Sequence, residues 1–392
     1  MIVLLIAAIT VLTNFPGGST GKVEQLSATQ IRIAVKGEAD QDQRNRQANW
    51  YYFALENLPK TRVEITLTNL IGEYNYKPAL AVTKHTRPVY SYDGVTWKHF
   101  SDSEVEWDEA RVELRLAFVP EKRRIWIAHT PPYTNPKLDA LLAKYEGSKF
   151  LQRQVVGKSV EGRDLLLLTV TNPQAPEAGK KVIWLMFRQH SWESGTSWAC
   201  DGALQFLLSS EPVAAQIRDH AIIKIFPLAD PDGVARGGVR FNKHGYDLNR
   251  NWDTVDPLKM PEITAQRKAI FDWLDEGHPI DLFFAMHNDE STEYLEAVDD
   301  RQLFQRIFQL LRDTTTFNPT SQLRITAEST TPGKPGRMMV IQGLWKDRKV
   351  PGILMEQMIE YNSKLGRLPT LEDRQRFGME LIQALYRAVS DQ

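Results

Sequence analysis

Val182-Ile183-Trp184-Leu185-Met186-Phe187-Arg188-Gln189-His190-Ser191-Trp192-Glu193 is the stretch on which the reading of this chain turns. An apolar run ends abruptly at Arg188, and a His and a Glu three residues apart follow. The run is too short for a stable helix and shows no polar alternation, so it reads as a strand buried on both faces. Four runs of the same kind accompany it, at Leu165–Val170, Ile222–Phe226, Ile280–Ala285 and Ile353–Met355. Between them lie helical periods. Trp198, Ala203, Leu204, Phe206 and Leu207 form one, and Ile263, Ile270, Trp273 and Leu274 another. Leu303, Phe304, Ile307, Phe308 and Leu311 form a third. The last runs from Thr370, with Asp373 as its capping partner, through Phe377, Leu381, Ile382, Leu385 and Val389. Strands alternating with helices predict an α/β fold: a mostly parallel mixed sheet flanked by helices.

Upstream the period changes to two. Ile31, Ile33 and Val35 alternate with polar or small neighbours, as do Val63, Ile65 and Leu67, and then Val112, Leu114, Leu116 and Phe118. Alternation of this kind predicts strands with one buried face, and so an all-β sandwich ahead of the α/β part. The Pro-rich stretch Thr130–Pro136 marks the boundary, giving a β domain over 21–131 and an α/β domain over 132–392. Residues 1–20 are harder to place. Ile2–Leu12 is almost wholly apolar but too short to span a bilayer, has no basic residue before it and no A-x-A site after it. It reads as a signal peptide or, alternatively, as a mis-assigned start or a local strand. The expected compartment is accordingly periplasmic or secreted, with cytoplasmic as the alternative.

The composition is that of a globular protein. The 392 residues are 42% apolar and 25% charged, with 48 Lys+Arg against 49 Asp+Glu. A net charge of −1 gives no general attraction to nucleic acid or to an acidic membrane. The single cysteine, Cys200, excludes an intrachain disulfide and a thiolate zinc cluster, so any metal must sit on His and carboxylates.

Four of the apolar runs lead directly into residues able to bind metal or move protons: Arg188, His190 and Glu193; Asp230 and Asp232; His287; and Glu356. In open α/β sheets ligands bind beyond the carboxyl ends of the strands, so residues far apart in sequence meet at one edge. Spacing alone does not select them. One residue in eight is acidic, which predicts about one His with a carboxylate at +3 among eight, whereas five histidines have one. Context favours His190 and Glu193, in a loop between a buried strand and a helix that begins near Ser197. His287 also follows a buried run, and two His with one Glu make a three-ligand set with an open fourth position. The plain alternative is two loop histidines and a solvated Glu. Further on, Arg240 and the run Asp247-Leu248-Asn249-Arg250-Asn251-Trp252 supply donors suited to a carboxylate, and an Arg near a metal can hold an oxyanion.

Taken together and in order, these pieces resemble the M14 zinc carboxypeptidases, specifically the cytosolic-carboxypeptidase-like branch with an N-terminal β domain. The pieces are Trp50-Tyr51-Tyr52-Phe53, Tyr92-Asp93-Gly94-Val95-Thr96-Trp97, Pro132-Tyr133-Thr134, Gly157 to Asp164, His190-Ser191-Trp192-Glu193, Pro231-Asp232-Gly233-Val234 and Asp247-Leu248-Asn249-Arg250. The resemblance implies one Zn²⁺ per chain on His190, Glu193 and His287. It implies Glu356 as general base, with Glu360 its nearby competitor. It implies Arg240 as the group that polarises the scissile carbonyl, and Asn249 and Arg250 as the clamp for the substrate's terminal carboxylate. The expected partner is the C-terminus of a peptide or protein, without nucleic acid and without membrane insertion; the oligomeric state is left open.

Departures from the family pattern are specific. Trp192 stands where Gly is common, Asp230 where Asn is usual, and Asn288 where a small residue is common. The substrate-closing tyrosine of the digestive members has no counterpart, because Asp313–Met355 contains no Tyr. Arg337 resembles the branch's arginine that favours acidic C-terminal side chains, but its distance from Glu356 implies a short insertion at Gly343–Val350; a solvated loop Arg is the alternative. Three rival readings remain at this level: a zinc amidase or deacylase on the same scaffold (for acyl-amino acids or murein peptides), a binder with a vestigial site, and a front-domain adaptor using Trp97 or Trp107.

Overall fold

A computed structural model describes residues 8–329, 331 and 333–390. The chain folds into two units: 1–134 with 233–241, and 135–232 with 242–392.

The first unit is built from three sheets. One runs β1 (Thr10–Leu12), β6 (Tyr52–Glu56), β14 (Ile125–Ala128), β10 (Val89–Ser91), β11 (Lys98–His99). The second runs β12 (Val105–Asp108), β13 (Glu113–Phe118), β7 (Val63–Thr68), β3 (Gln30–Ala34), β2 (Val23–Gln25). A smaller third sheet is ordered β4 (Glu38–Ala39), β5 (Arg46–Gln47), β8 (Ile71–Tyr74), β9 (Lys77–Leu80). In β13 exposure alternates, with Leu114, Leu116 and Phe118 buried, which is how a strand with one wet face behaves. The inner residues of the first two sheets, among them Phe53, Leu55, Ile65, Leu67, Leu116, Ile125 and Ile127, form a single core, so the two sheets make a sandwich.

The amino-terminal apolar stretch reads differently in part. Thr10–Leu12 pairs antiparallel with β6, Val11 opposite Leu55, and Ile9 lies in the sandwich core. The local-strand alternative describes these residues, and a boundary at 20/21 would cut off a strand of the sheet; residues 1–7 of the expected leader lie outside the described residues.

The second unit holds an eight-stranded sheet in the order β15 (Leu151–Lys158), β16 (Asp164–Val170), β18 (Ala221–Phe226), β17 (Lys181–Phe187), β19 (Leu282–Asp289), β22 (Gly352–Met358), β20 (Tyr294–Ala297), β21 (Arg324–Ile325). β18, β17, β19 and β22 are mutually parallel, and the pairs β15/β16, β16/β18 and β22/β20 are antiparallel. Every residue from Val182 to Phe187 is buried. Successive side chains point to opposite faces, so both faces are covered, which explains the unbroken apolar reading.

Helices α1 (Asn135–Ala143), α2 (Ser194–Leu207), α3 (Pro212–His220), α4 (Pro231–Arg236), α5 (Pro261–Asp275), α6 (Gln302–Thr314), α7 (Val340–Arg348) and α8 (Leu371–Ser390) complete the chain. α2 and α8 pack on each other and on β17, α5 on β15 and β16, α7 on β22 and β19. The expected insertion at Gly343–Val350 is occupied largely by α7. No helix among the described residues is long and apolar enough to cross a membrane.

Candidate metal centre

Two elements deliver the three ligand candidates. β17 ends at Phe187, and the chain turns sharply at Arg188, whose φ of 61° is unusual for a side chain of this size. Its guanidinium makes that turn rigid: Nε donates to Ser191 O (2.9 Å) and Nη1 to Ser197 Oγ (3.0 Å). His190 and Glu193 sit on the turn so formed, and Glu193 occupies the N-cap position of α2. The helix therefore begins at Ser194, earlier than Ser197, because Glu193 O closes its first turn with Thr196 N–H (3.1 Å). A carboxylate there meets the positive end of the helix dipole.

His287 comes from β19. The sequence reading places His287 and Glu356 just past their strands, but both lie inside them. β19 and β22 stay paired through Asp289 and Met358, with His287 and Glu356 as direct register partners. Continued pairing satisfies the backbone on both sides of the site and fixes the two side chains on one face of the sheet. Glu360 lies beyond β22.

The ligand atoms of His190, Glu193 and His287 all fall within 4.8 Å of one another, and all three residues are buried. His190 Nδ1 is 2.6 Å from Glu193 Oε1, His287 Nδ1 is 3.0 Å from Glu193 Oε2, and the two Nδ1 atoms are 3.2 Å apart. The opposite ring nitrogens are engaged elsewhere. His190 Nε2 is 3.0 Å from Asp247 Oδ1, and His287 Nε2 is 3.1 Å from Gln189 Oε1. Gln189 Nε2 donates to Leu248 O (2.7 Å), which turns the amide oxygen toward His287 and makes it an acceptor. Both Nε2 atoms are thus N–H donors and both Nδ1 atoms carry lone pairs.

Two lone pairs and a carboxylate converging on one buried point repel each other unless a cation stands between them. Glu193 Oε2 is buried and hydrogen-bonded to nothing. Burial pushes the Glu193 carboxyl up, and positive charge at His190 and His287 outweighs burial and holds it below the ordinary range; with both rings neutral, a bound cation is what would supply that charge. Two imidazoles oriented by outer acceptors, plus one carboxylate, suit a first-row divalent metal. Gln189 and Asp247, which orient the rings, carried no signal in the sequence that set them apart as holders of the histidines.

Asn288 ties the ligand-bearing elements together. Its Oδ1 accepts from Thr196 N (3.2 Å) at the start of α2, and its Nδ2 donates to Gln357 O (3.0 Å) on β22. The departure noted at this position therefore has a structural use: Gly195 leaves room for it, since a Cβ there would lie 2.6 Å from Asn288 Oδ1.

Asn249 Oδ1 accepts from Val340 N (3.0 Å), which leaves Nδ2 as the free donor end of the amide, and Arg250 Nη1 donates to Asn249 O (2.7 Å). Arg337 is half-buried on a segment tethered to the same stretch. Gly336 N and Met338 N donate to the Asp253 carboxylate (3.1 and 3.3 Å), and Trp252 N donates to Met338 O (3.2 Å). A cavity of about 590 Å³ opens beside this segment, lined by Asp253, Glu328, Lys334, Met338 and Trp345 among others.

Arg240 belongs to the first unit. There Glu38 Oε2 accepts from three successive backbone amides, Val239 N (2.9 Å), Arg240 N (2.6 Å) and Phe241 N (2.9 Å), and Oε1 pairs with Arg236 Nη2 (2.8 Å). Asp232 plays the corresponding part in the second unit. It accepts from Ser159 Oγ (2.7 Å), Glu161 N (2.7 Å) and Arg163 Nη1 (2.8 Å), which accounts for the Gly157–Asp164 motif as a structural turn.

Comparison with known proteins agrees with this construction. Residues 137–295 match the family model for zinc carboxypeptidases, and residues 11–129 match that for the cytosolic carboxypeptidase N-terminal domain. The chain is 28% identical over 314 residues to mouse cytosolic carboxypeptidase 6, an alignment covering 74% of this chain and 56% of the mouse protein. It is 29% identical over 297 residues to macaque cytosolic carboxypeptidase 2, covering 68% of this chain and 34% of that protein. The chain thus spans about half the length, or less, of these relatives. Among solved structures, a metallo-carboxypeptidase from Burkholderia cenocepacia superposes with a TM-score of 0.83 at 23% identity, covering 98% of this chain and 100% of that one. A Pseudomonas aeruginosa metallo-carboxypeptidase in complex with (2-guanidinoethylmercapto)succinic acid superposes with a TM-score of 0.81 at 21% identity, covering 97% and 99%. At these identities the superpositions speak for the fold.

Proposed function

Because the chain belongs to the M14 zinc carboxypeptidase family, with the N-terminal domain of the cytosolic branch, we propose that it removes the C-terminal residue of peptides or proteins by zinc-dependent hydrolysis. One observation carries the reading: a buried His–Glu–His cluster whose third member, His287, stands in strand register with Glu356.

His190 and His287 would hold the zinc ion through Nδ1, and Glu193 through its carboxylate. A zinc ion there supplies Lewis acidity and brings a water molecule into the range where it can be deprotonated near neutral pH. Glu356 accepts that proton at its carboxylate and delivers it to the leaving amine, the two halves of general base and general acid work. Arg240, by family resemblance, polarises the scissile carbonyl and stabilises the negative charge that grows on its oxygen. Asn249 Nδ2 and the Arg250 guanidinium hold the substrate's free carboxylate, which selects the last peptide bond and orients it. Arg337 sits on the segment anchored to Asn249 and Asp253, a position that supports a preference for acidic C-terminal side chains. Of the two compartments compatible with the sequence, the relatives' designation as cytosolic favours the cytoplasm.

The test compares matched peptides with a free or an amidated C-terminus, assayed with the zinc-loaded protein. Free-acid peptides should be cleaved and amidated ones spared. Arg250→Ala should raise KM for the free acids, and Glu356→Gln should retain zinc while kcat falls by roughly 10²- to 10⁴-fold. Equal cleavage of both peptide sets would reject the carboxypeptidase reading in favour of an amidase. Replacing Arg337 by Ala should flatten selectivity across a panel that varies only the last residue; an unchanged profile would remove Arg337 from the specificity pocket.

A further inference from the structure

We propose that Gln189 is a positioning residue that couples metal binding to recognition of the substrate's terminal carboxylate, by tying His287 to the loop that carries Asn249 and Arg250. The inference rests on the carboxypeptidase reading above and concerns how its two binding sites communicate.

The outer nitrogens of both imidazoles lead to that loop. His287 Nε2–H donates to Gln189 Oε1 (3.1 Å), and Gln189 Nε2 donates to Leu248 O (2.7 Å). His190 Nε2–H donates to Asp247 Oδ1 (3.0 Å), and the same oxygen accepts from Asn249 N (2.9 Å). The clamp residues follow directly. Arg250 N donates to Asp247 O (3.1 Å), and Arg250 Nη1 to Asn249 O (2.7 Å). Trp252 Nε1 also donates to Leu248 O (2.9 Å), so two side chains hold that carbonyl. Gln189, Leu248 and Asn249 are all buried, so water does not readily replace a bond that is lost.

These restraints depend on an ion. A cation between the two Nδ1 atoms fixes both rings with their Nε2–H groups directed outward. Without one, the lone pairs and the Glu193 carboxylate repel, and a ring that turns away from that repulsion gives up its outer bond. The Asp247–Arg250 loop is then held by fewer bonds, and an arriving carboxylate must order the loop itself. A loop ordered by one ligand binds the other more tightly, and linkage makes the effect reciprocal. Gln189 is the part of this path that a substitution can remove without touching a ligand candidate or a clamp residue.

Gln189→Met preserves the bulk of the side chain and removes both of its hydrogen bonds. In the Glu356→Gln chain, used so that the peptide is not consumed, zinc affinity is read by competition with a colorimetric chelator. It is measured alone and with a saturating free-acid peptide or its C-terminal amide. The free acid should tighten zinc binding at least about fivefold more than the amide does, since only the free acid fills the clamp. Adding Gln189→Met should weaken zinc binding roughly tenfold and shrink that free-acid advantage to less than about twofold. Arg250→Ala leaves the Gln189 bonds in place; it should also abolish the advantage but hold zinc as tightly as its parent when no peptide is present. A free-acid advantage that survives Gln189→Met would overturn the proposal, and should that variant not fold, one that survives Arg250→Ala would do so. A parent that binds the free acid more tightly than the amide, yet shows no difference between them in their effect on zinc, sinks the coupling alone. A zinc-loaded parent that binds both equally sinks the carboxypeptidase reading and this one with it.

Discussion

Glu293 is a residue whose energetics can be followed without reference to catalysis. It precedes β20 and is fully buried, with Oε2 accepting from Asn318 N (2.8 Å) and Oε1 engaged by nothing. Burial pushes its carboxyl from 4.5 up to about 7, against the pull of the Asn318 amide, Arg374 and Lys364. The folded protein thus holds this proton more tightly than the unfolded chain does. The resulting stabilisation is fully present below pH 4.5 and is lost as pH rises through about 7. A shift of that size is worth about 3 kcal/mol. Urea unfolding from pH 4.5 to 8 should show this declining component, and Glu293→Gln should flatten it; an unchanged slope would show that Glu293 ionises freely. The residue scale is also where the sequence was least legible. His190, Glu193, His287 and Glu356 stand out because each follows an apolar run, and a polar residue at a buried strand end has few bland uses. Gln189, which presents its amide oxygen to His287, looks like any loop glutamine until Leu248 O is seen to fix its other end. His287 and Glu356 are far apart in the chain, and only strand register joins them.

At the scale of elements, the crossing of α2 and α8 shows why helix periodicity is only a partial guide. The capping pair expected at Thr370 forms: Thr370 N donates to Asp373 Oδ2 (2.8 Å) and Asp373 N to Thr370 Oγ1 (3.3 Å). Gly202 and Gly378, however, read as liabilities inside helices, because Gly is less favourable there than Ala by about 1 kcal/mol. Their use lies between the helices. A Cβ at Gly378 would fall 1.8 Å from Ala199 O, and one at Gly202 would fall 1.9 Å from Gln375 O. The two backbones touch where each glycine meets the main chain of the other helix, a property of a pair of helices that neither helix displays by itself. Gly378→Ala should therefore destabilise despite its better helix propensity, by more than the ~1–3 kcal/mol of ordinary overpacking, since the obstacle is backbone. Thermal unfolding should register a Tm lowered by several degrees; an equal or higher Tm would mean the helices can slide apart freely. Because Glu193 is the N-cap of α2, this crossing also braces the candidate metal cluster.

On the scale of the molecule, the α/β and sandwich classes were legible because period-two and unbroken apolar runs are direct consequences of one or two covered sheet faces. What escaped was the route of the chain. Residues 233–241 leave the second unit and rejoin the first, a detour without compositional trace because its holding groups are backbone amides. The metal cluster should likewise act on the whole second unit. Its ligand candidates come from the turn after β17 and from β19, so an ion bound by the folded form alone should stabilise it by about 2.7 kcal/mol at a hundredfold excess over Kd. Stripping metal with a chelator should lower Tm, and restoring zinc should recover it, whereas His190→Ala should abolish the response. A Tm indifferent to chelation in the unsubstituted chain would mean that the cluster closes on itself without an ion.

Glu38 gathers the amides of Val239, Arg240 and Phe241 onto one oxygen. A recombination joint anywhere between residues 39 and 232 would bring together a Glu38 and an Arg240 loop of different ancestry. Exchanging either partner alone would leave those three amides without their carboxylate, so any graft of a foreign β module onto this scaffold must carry its own acceptor for them.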